Sequence, residues 1–254
     1  KLWLNDNLTT EGGITYQYSD IRNREAEEAE VPREAVIENT TFQAVSFPIS
    51  VIWNNQTSVL DPQEGWFGAF SVVPFVGSTN FTRIEIGASD RVFWGEDDGG
   101  TLAGRFRLGA IYGAERSDVP APERFFAGGG GSLRGYAFQE ASPIDRVSGD
   151  ILGGASIAEF NIELRQHVTE NIELAAFTDV GGAFTSNNPD FENVLVGAGI
   201  GVRYHTPIGP IRVDVAVPLE RREFFIDDPE AEDGRRRIFQ DDAFQFYIAI
   251  GQPF

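Results

Sequence analysis

The residues of this chain that could do chemistry are few, and their types narrow the chemistry before any fold is considered. There is no Cys, so disulfides, thiolate metal sites and cysteine nucleophiles are excluded together. The two His residues, His167 and His205, lie in no HxxxH, HExxH or GxSxG pattern. Both read as ordinary polar residues of a lumen or interface, and no catalytic residue or metal ligand is assigned. The run Gly128-Gly129-Gly130-Gly131-Ser132 has the glycines of a phosphate cradle, but neither a Gly-Lys-Ser/Thr step nor a helix follows it. What remains is ionic pairing away from water. Arg134 stands in Gly128-Gly129-Gly130-Gly131-Ser132-Leu133-Arg134-Gly135-Tyr136, where consecutive glycines permit left-handed backbone and close approach to other segments. An arginine carried into a lumen by such a loop needs a carboxylate, because an unpaired buried charge is costly. Glu163 and Asp179 are the candidates on the next two extended segments, each on the face that alternation gives to the lumen.

The elements that must position these groups read as strands. Aromatic content is 12%, led by 21 Phe, and 28 Gly mark many tight turns, a mixture that favours strands over helices. No run approaches the ~20 apolar residues of a membrane helix, whereas a membrane strand needs only ~9 to 11 alternating residues. Period two dominates. Ile211, Val213, Val215 and Val217 alternate with Arg212, Asp214 and Ala216; Phe244, Phe246, Ile248 and Ile250 alternate with Gln245, Tyr247, Ala249 and Gly251. Val194 to Tyr204 faces one way with Val, Ala, Ile and Tyr and the other with Gly197, Gly199, Gly201 and Arg203. Further strands are placed at Thr10 to Ser19, Phe42 to Trp53, Gly65 to Val76, Phe81 to Trp94, Thr101 to Tyr112, Ser156 to Val168 and Asn171 to Phe184. The face opposite the apolar one carries small residues with isolated charges, such as Glu159, Asn161, Glu163, Arg165 and His167. Bulk water would favour a continuous polar row there; a crowded lumen suits isolated charges.

Connections alternate between long and short, as in outer-membrane barrels. Arg22 to Thr40, Gly113 to Asp150 and Leu219 to Asp242 are long, while Thr169-Glu170 and Thr206 to Pro210 are short; Gly77 to Asn80 breaks the rule by being short. The fold class expected is all-β, an antiparallel transmembrane β-barrel spanning residues 1–254 as one domain. The net charge of -19 excludes nucleic acid as a partner, and the acidic stretches Glu25 to Glu30 and Asp227 to Asp233 read as solvated loops. No cofactor is expected, and the chain is not read as an enzyme.

With these residues in place the chain resembles a known family. The Phe-Ala-Gly-Gly and Ser-Leu-Arg-Gly-Tyr elements of the long loop resemble the sixth-loop motif of the BamA/TamA superfamily of outer-membrane assembly factors. Gly199 to Tyr204 with Pro207 to Asp214 is similar to its penultimate hairpin, and Phe246 to Phe254 to its closing strand. Asn54 to Gly65, with Leu60-Asp61-Pro62, matches a family turn less closely, since Asn54 and Asn55 stand where an Arg-Asp step is usual. Val217-Pro218 and the Phe246-Tyr247-Ile248 ending resemble TamA more than BamA.

The resemblance implies a barrel of about sixteen strands, of which this chain supplies the C-terminal ten or eleven, with the POTRA domains that precede such barrels absent from it. It implies that Gly128, Gly129, Ser132, Arg134, Gly135 and Tyr136 form the loop motif, that Glu163 and Asp179 hold Arg134, and that Pro207, Gly209 and Pro210 form a periplasmic turn. Phe246, Tyr247, Gly251 and Phe254 then belong to the C-terminal strand at a weak seam that templates client strands. The implied partners are outer-membrane lipids, client outer-membrane proteins and, through POTRA domains, an inner-membrane-anchored TamB-like protein. Two rivals are a passive porin and a lipase-type barrel, the second disfavoured by the scarcity of His; within the superfamily a secretion or lipid-transport barrel is the alternative.

Overall fold

The computed structural model describes residues 1–21, 40–57, 65–95, 99–207, 209–228 and 234–251. Its strands are β1 (Leu2–Trp3), β2 (Leu8–Gly12), β3 (Thr15–Ile21), β4 (Thr40–Ser46), β5 (Ile49–Asn54), β6 (Phe67–Gly77), β7 (Phe81–Trp94) and β8 (Gly100–Tyr112), followed after the long loop by β9 (Ser156–Thr169), β10 (Ile172–Phe184), β11 (Leu195–Tyr204), β12 (Ile211–Pro218), β13 (Glu223–Asp227), β14 (Arg235–Gln240) and β15 (Gln245–Ile250). Among the described residues helical structure is confined to two single turns, Arg116–Asp118 and Ala121–Glu123.

One antiparallel sheet runs β1-β2-β5-β6-β7-β8-β9-β10-β11-β12-β15, with β3 and β4 paired beside it and β4 also pairing β6. The strands expected at Thr10 to Ser19 and Phe42 to Trp53 are each interrupted once. The register does not change across the break, for Gly12 pairs with Ile49 and Thr15 with Ser46. Pro48 explains it: proline has no N–H to give the ladder, so β4 and β5 separate around it while Gly13 N–H still reaches the Pro48 carbonyl at 3.1 Å. Taking β2–β3 and β4–β5 as single crossings, the described strands of this sheet make eleven, the others being the short β1 and β6, β7, β8, β9, β10, β11, β12 and β15. The connection read as a plain loop from Leu219 to Asp242 contains the hairpin β13–β14, whose Phe224 and Phe239 rings lie 5.8 Å apart. The run Arg235-Arg236-Arg237 hides its alternation in the sequence.

Burial along the strands is inverted relative to a water-soluble sheet. On β9, Phe160, Ile162 and Leu164 are exposed while Glu159, Asn161, Glu163 and Arg165 are buried. Ile162 is 60% and Ile200 69% exposed, yet Glu163 and Arg203 are fully enclosed. A sheet that shows its aliphatic residues and hides its charges has its apolar face toward hydrocarbon. The tryptophans agree. Trp53, Trp66 and Trp94 lie within one residue of strand ends on the short-turn side, and Trp3 pairs with Thr9 on the same side. This is where amphipathic rings line a membrane interface.

Inside the sheet the loop from Gly113 to Ala155 brings its own apolar core. Val119, Phe125, Leu133 and Tyr136 are buried together with Phe42, Phe75, Phe81, Ile111 and Ile157 of the wall. Phe75 and Phe81 stack at 4.4 Å. Full burial of side chains of this size is worth about 1.5–3 kcal/mol each, a contribution to seating the loop that adds to its polar contacts.

Candidate functional site

The loop reaches the lumen wall through its backbone first. Gly128 and Gly129 have φ of 112° and 98°, a region that L side chains rarely adopt, and the turn they make is closed by Gly129 N–H to the Tyr136 carbonyl at 3.0 Å and Ser132 N–H to the Gly129 carbonyl at 3.1 Å. The turn presents three successive carbonyls outward, each accepting from a wall side chain: Gly130 from Arg212 at 3.2 Å, Gly131 from Arg105 at 2.9 Å and Ser132 from Asn161 at 2.8 Å. The Ser132 hydroxyl accepts from Gly128 N–H at 2.9 Å and donates to Glu159.

Arg134 then enters a pocket of carboxylates. Its Nε and Nη2 donate to Asp179 at 2.7 and 2.9 Å, its backbone N–H to the same carboxylate at 3.0 Å, and Nη1 to Glu163 at 2.5 Å. The guanidinium lies 3.4 Å from the centroid of the Phe177 ring. Asp214, which the sequence reading did not single out, stands 3.6 Å from Nη1 and also pairs with Arg203. Glu163 is shared further, with Arg165 at 2.7 Å and Arg203 at 3.0 Å. Alternation could place Asp214, Arg203 and Arg212 on the lumen face, but nothing in strand periodicity says which side chains span the lumen to one loop residue. Fork-shaped guanidiniums and carboxylates in this density form charge-assisted bonds that fix one geometry.

The glycine row on β11 is what makes room. A Cβ on Gly197 would collide with the Arg134 carbonyl oxygen, and one on Gly199 with the Phe177 ring. At Gly197 the small face seen in the sequence makes room for the loop, and at Gly199 for the Phe177 ring over which Arg134 lies.

Gly135 and Tyr136 complete the clasp on the other side. Gly135, at φ 101°, packs so closely that a Cβ would lie 2.8 Å from the Val217 carbonyl oxygen. The Tyr136 hydroxyl donates to the Glu220 carbonyl at 2.9 Å. Tyr247 of β15, read from the sequence only as a seam residue, points into the lumen: its hydroxyl accepts from Gly135 N–H at 3.2 Å and donates to the Tyr136 carbonyl at 3.0 Å. The last strand is thus tied to the loop. Phe246 beside it is exposed on the apolar face. Above the motif Arg222 forks onto Asp241 at 2.7 and 2.8 Å and reaches the Glu140 carbonyl at 2.6 Å, docking the β12–β15 connection on the loop. Arg124 is held by the Val119 and Leu152 carbonyls, both at 2.8 Å; burial and the nearby Arg116 bring its pKa down to about 10, so it stays charged at neutral pH.

Pro207, Gly209 and Pro210 form the turn between β11 and β12, closed by Gly209 N–H to the Thr206 carbonyl at 3.0 Å; Gly251 N–H at the end of β15 donates to the Pro210 carbonyl at 2.8 Å. Phe254, Ile208 and Leu60-Asp61-Pro62 lie outside the described residues, as does Glu25 to Glu30. The two histidines, distant in sequence, are brought together: their rings stack at 5.5 Å beside the buried Glu173.

Comparison with known proteins fits this geometry. The profile of the Omp85 superfamily domain matches residues 2–254. The chain belongs to the Omp85 superfamily. It is similar to the protein named outer membrane protein assembly factor BamA of Nitratidesulfovibrio vulgaris, 36% identical over 124 residues, which are 47% of this chain and 16% of that protein. The protein of the same name in Neorickettsia risticii is 26% identical over 229 residues, 85% of this chain and 30% of that one. The crystal structure of BamA from Haemophilus ducreyi lacking POTRA domains 1–3 superposes with a TM-score of 0.72 at 18% identity, covering 98% of this chain and 52% of that one, a likeness of fold. The chain thus spans less than a third of these curated relatives. As an Omp85 chain with this apolar outer face, it is a β-barrel part of the bacterial outer membrane.

Proposed function

We propose that this chain is the barrel part of an outer-membrane protein assembly factor that templates client strands at the edge of β15. The observation that carries the reading is how lightly β15 is held: β12 pairs it over six residues, from Ile211↔Ile250 to Ala216↔Gln245, against thirteen between β9 and β10, while Tyr247 ties it to the seated loop. In hydrocarbon every open edge leaves N–H and C=O groups unsatisfied, so a client strand arriving alone is strongly disfavoured. An edge already at membrane depth offers it a ladder by strand addition. No covalent step is involved.

Within this reading the Arg134 clasp with Glu163 and Asp179 is a structural anchor. It keeps the loop seated in the lumen, and Tyr247 couples the seated loop to the seam strand. Phe246, Tyr247, Gly251 and Phe254 belong to the seam, and Pro207, Gly209 and Pro210 to the periplasmic turn that starts its neighbour. The finer assignment is to the translocation and assembly module type, supported by Val217-Pro218 and Phe246-Tyr247-Ile248. Outer-membrane lipids, client barrels and a TamB-like partner reached through POTRA domains of the whole protein are the partners of that assignment. A passive porin is disfavoured by the apolar plug of Phe125, Leu133 and Tyr136 in the lumen.

The test is reconstitution of the full-length protein in liposomes with an unfolded client barrel. Folding of the client faster than in empty liposomes is expected. Ion conductance without any acceleration would overturn the reading in favour of a pore.

A further inference from the structure

His167, Glu173 and His205 meet at the short-turn end of the lumen, where three consecutive strands leave the sheet. Register pairs Glu173 with His167 on one side and with Arg203 on the other, and His205 follows directly on β11, its N–H donating to the Asn171 carbonyl at 2.9 Å. His205 Nε2 lies 3.3 Å from Glu173 Oε2, the two imidazoles stack at 5.5 Å with 23° between their planes, and one ligand-capable atom from each of the three residues falls within 4.8 Å of the others. Glu173 is buried and both rings are half-buried, so the group faces the lumen.

A hydrogen bond between His205 and Glu173 accounts for two of these side chains. It gives no reason for a second imidazole stacked against the first. We propose that the three residues form a binding site for Zn²⁺, with two imidazole ligands, one carboxylate and the fourth position left to water. Zinc takes N and O ligands at about 2.0–2.1 Å in tetrahedral array, which sets neighbouring ligand atoms roughly 3.3 Å apart. The His205–Glu173 separation already has that value, and the ligand atom of His167 lies within 4.8 Å of both. The tautomer is suitable as well. His167 Nδ1 lies 3.2 Å from the Gly99 carbonyl oxygen, which can only accept, so Nδ1 carries the proton and Nε2 keeps its lone pair for a metal.

Arg165 and Arg203 share this face, and their charge opposes a cation. Both, however, direct their guanidiniums to Glu163, at 2.7 and 3.0 Å, one step further into the lumen. The bound ion would staple the ends of β9, β10 and β11 and leave the β15 edge untouched, so the site is independent of the assembly reading.

The test uses full-length protein stripped with a chelator, refolded in detergent and titrated with ZnCl₂ by calorimetry, with Co²⁺ absorption as the signature of tetrahedral coordination. The expected result is saturable Zn²⁺ binding that raises the thermal unfolding midpoint. His167→Ala and His205→Ala should each weaken it by about tenfold or more, and the double variant should lose both the affinity and the midpoint shift. Heat-modifiable gel migration verifies that the variants are folded, and Glu173→Gln, which preserves shape, gives a third reading with the same expected loss. Absence of saturable binding, or a folded double variant within twofold of the wild-type affinity, would overturn the proposal.

Discussion

Replacing Arg134 with Ala removes three charge-assisted side-chain bonds, to Asp179 at 2.7 and 2.9 Å and to Glu163 at 2.5 Å, yet the two carboxylates do not suffer equally. Glu163 keeps Arg165 at 2.7 Å and Arg203 at 3.0 Å. Asp179, fully enclosed, loses both of its bonds to the guanidinium and keeps the backbone N–H of residue 134. The loss is therefore that of a buried pair broken from one side, about 3–5 kcal/mol. At 1.4 kcal/mol per tenfold this lowers the equilibrium constant for loop docking by about two to three and a half orders of magnitude. Urea unfolding of the refolded barrel and limited proteolysis of residues 113–155 read the two consequences. The double variant Arg134→Ala/Asp179→Ala should be less destabilised than the sum of the single variants, since it leaves no orphan carboxylate. A single variant within about 0.5 kcal/mol of wild type with a protected loop would refute the reasoning, and so would strict additivity.

Charge reversal, Glu163→Lys, sets a cation among Arg134, Arg165 and Arg203 and should expose the loop to protease as Arg134→Ala does; a protected loop would contradict the pairing. Gly197→Ala places a methyl against the Arg134 carbonyl, so it should also undock the loop while Gly131→Ala, which meets nothing within 4 Å, leaves it seated under the same protease assay. Tyr247→Phe removes the hydroxyl that bridges Gly135 and Tyr136 and should cost about 1–3 kcal/mol of loop docking in urea titrations, with β12–β15 pairing retained in amide exchange. Ile200→Arg on the apolar face should destabilise the barrel in bilayers by about 2–4 kcal/mol if that position lies near the midplane, whereas a face in water would accept the charge at little cost.

Much of the architecture is legible in the sequence because the two faces differ in kind. Ile162 and Leu164 against Glu163 and Arg165 mark lipid and lumen along one strand, and that contrast survives without knowledge of the neighbours. The loop arginine is legible for a similar reason: the four glycines from Gly128 to Gly131 announce close approach, and a charge three residues beyond them requires a partner. What the sequence hides is set by distance across the lumen. Tyr247 alternates with Phe246 and Ile248 and so belongs to the inner face, but its bond to a loop 111 residues earlier depends on where the sheet curves. Asp214 enters the clasp through the same curvature. His167 and Glu173 lie on β9 and β10 and His205 just past β11, so no motif spacing could join them. Pro48, inside the segment read as one strand from Phe42 to Trp53, cannot complete a ladder, and the register shows that the strand continues beyond it.

The central claim is that β15 pairs a client strand at membrane depth, and cross-linking tests it most directly. These 254 residues contain no Cys, so single cysteines can be placed from Gln245 to Ile250 of the whole protein without competing thiols from this part of it. Each is paired with single cysteines along the last strand of a client stalled during insertion. The account predicts disulfides at one consistent antiparallel or parallel register along β15, and none from a control cysteine at Phe160, which faces lipid in the middle of the sheet. Cross-links no stronger along β15 than at position 160 would contradict it.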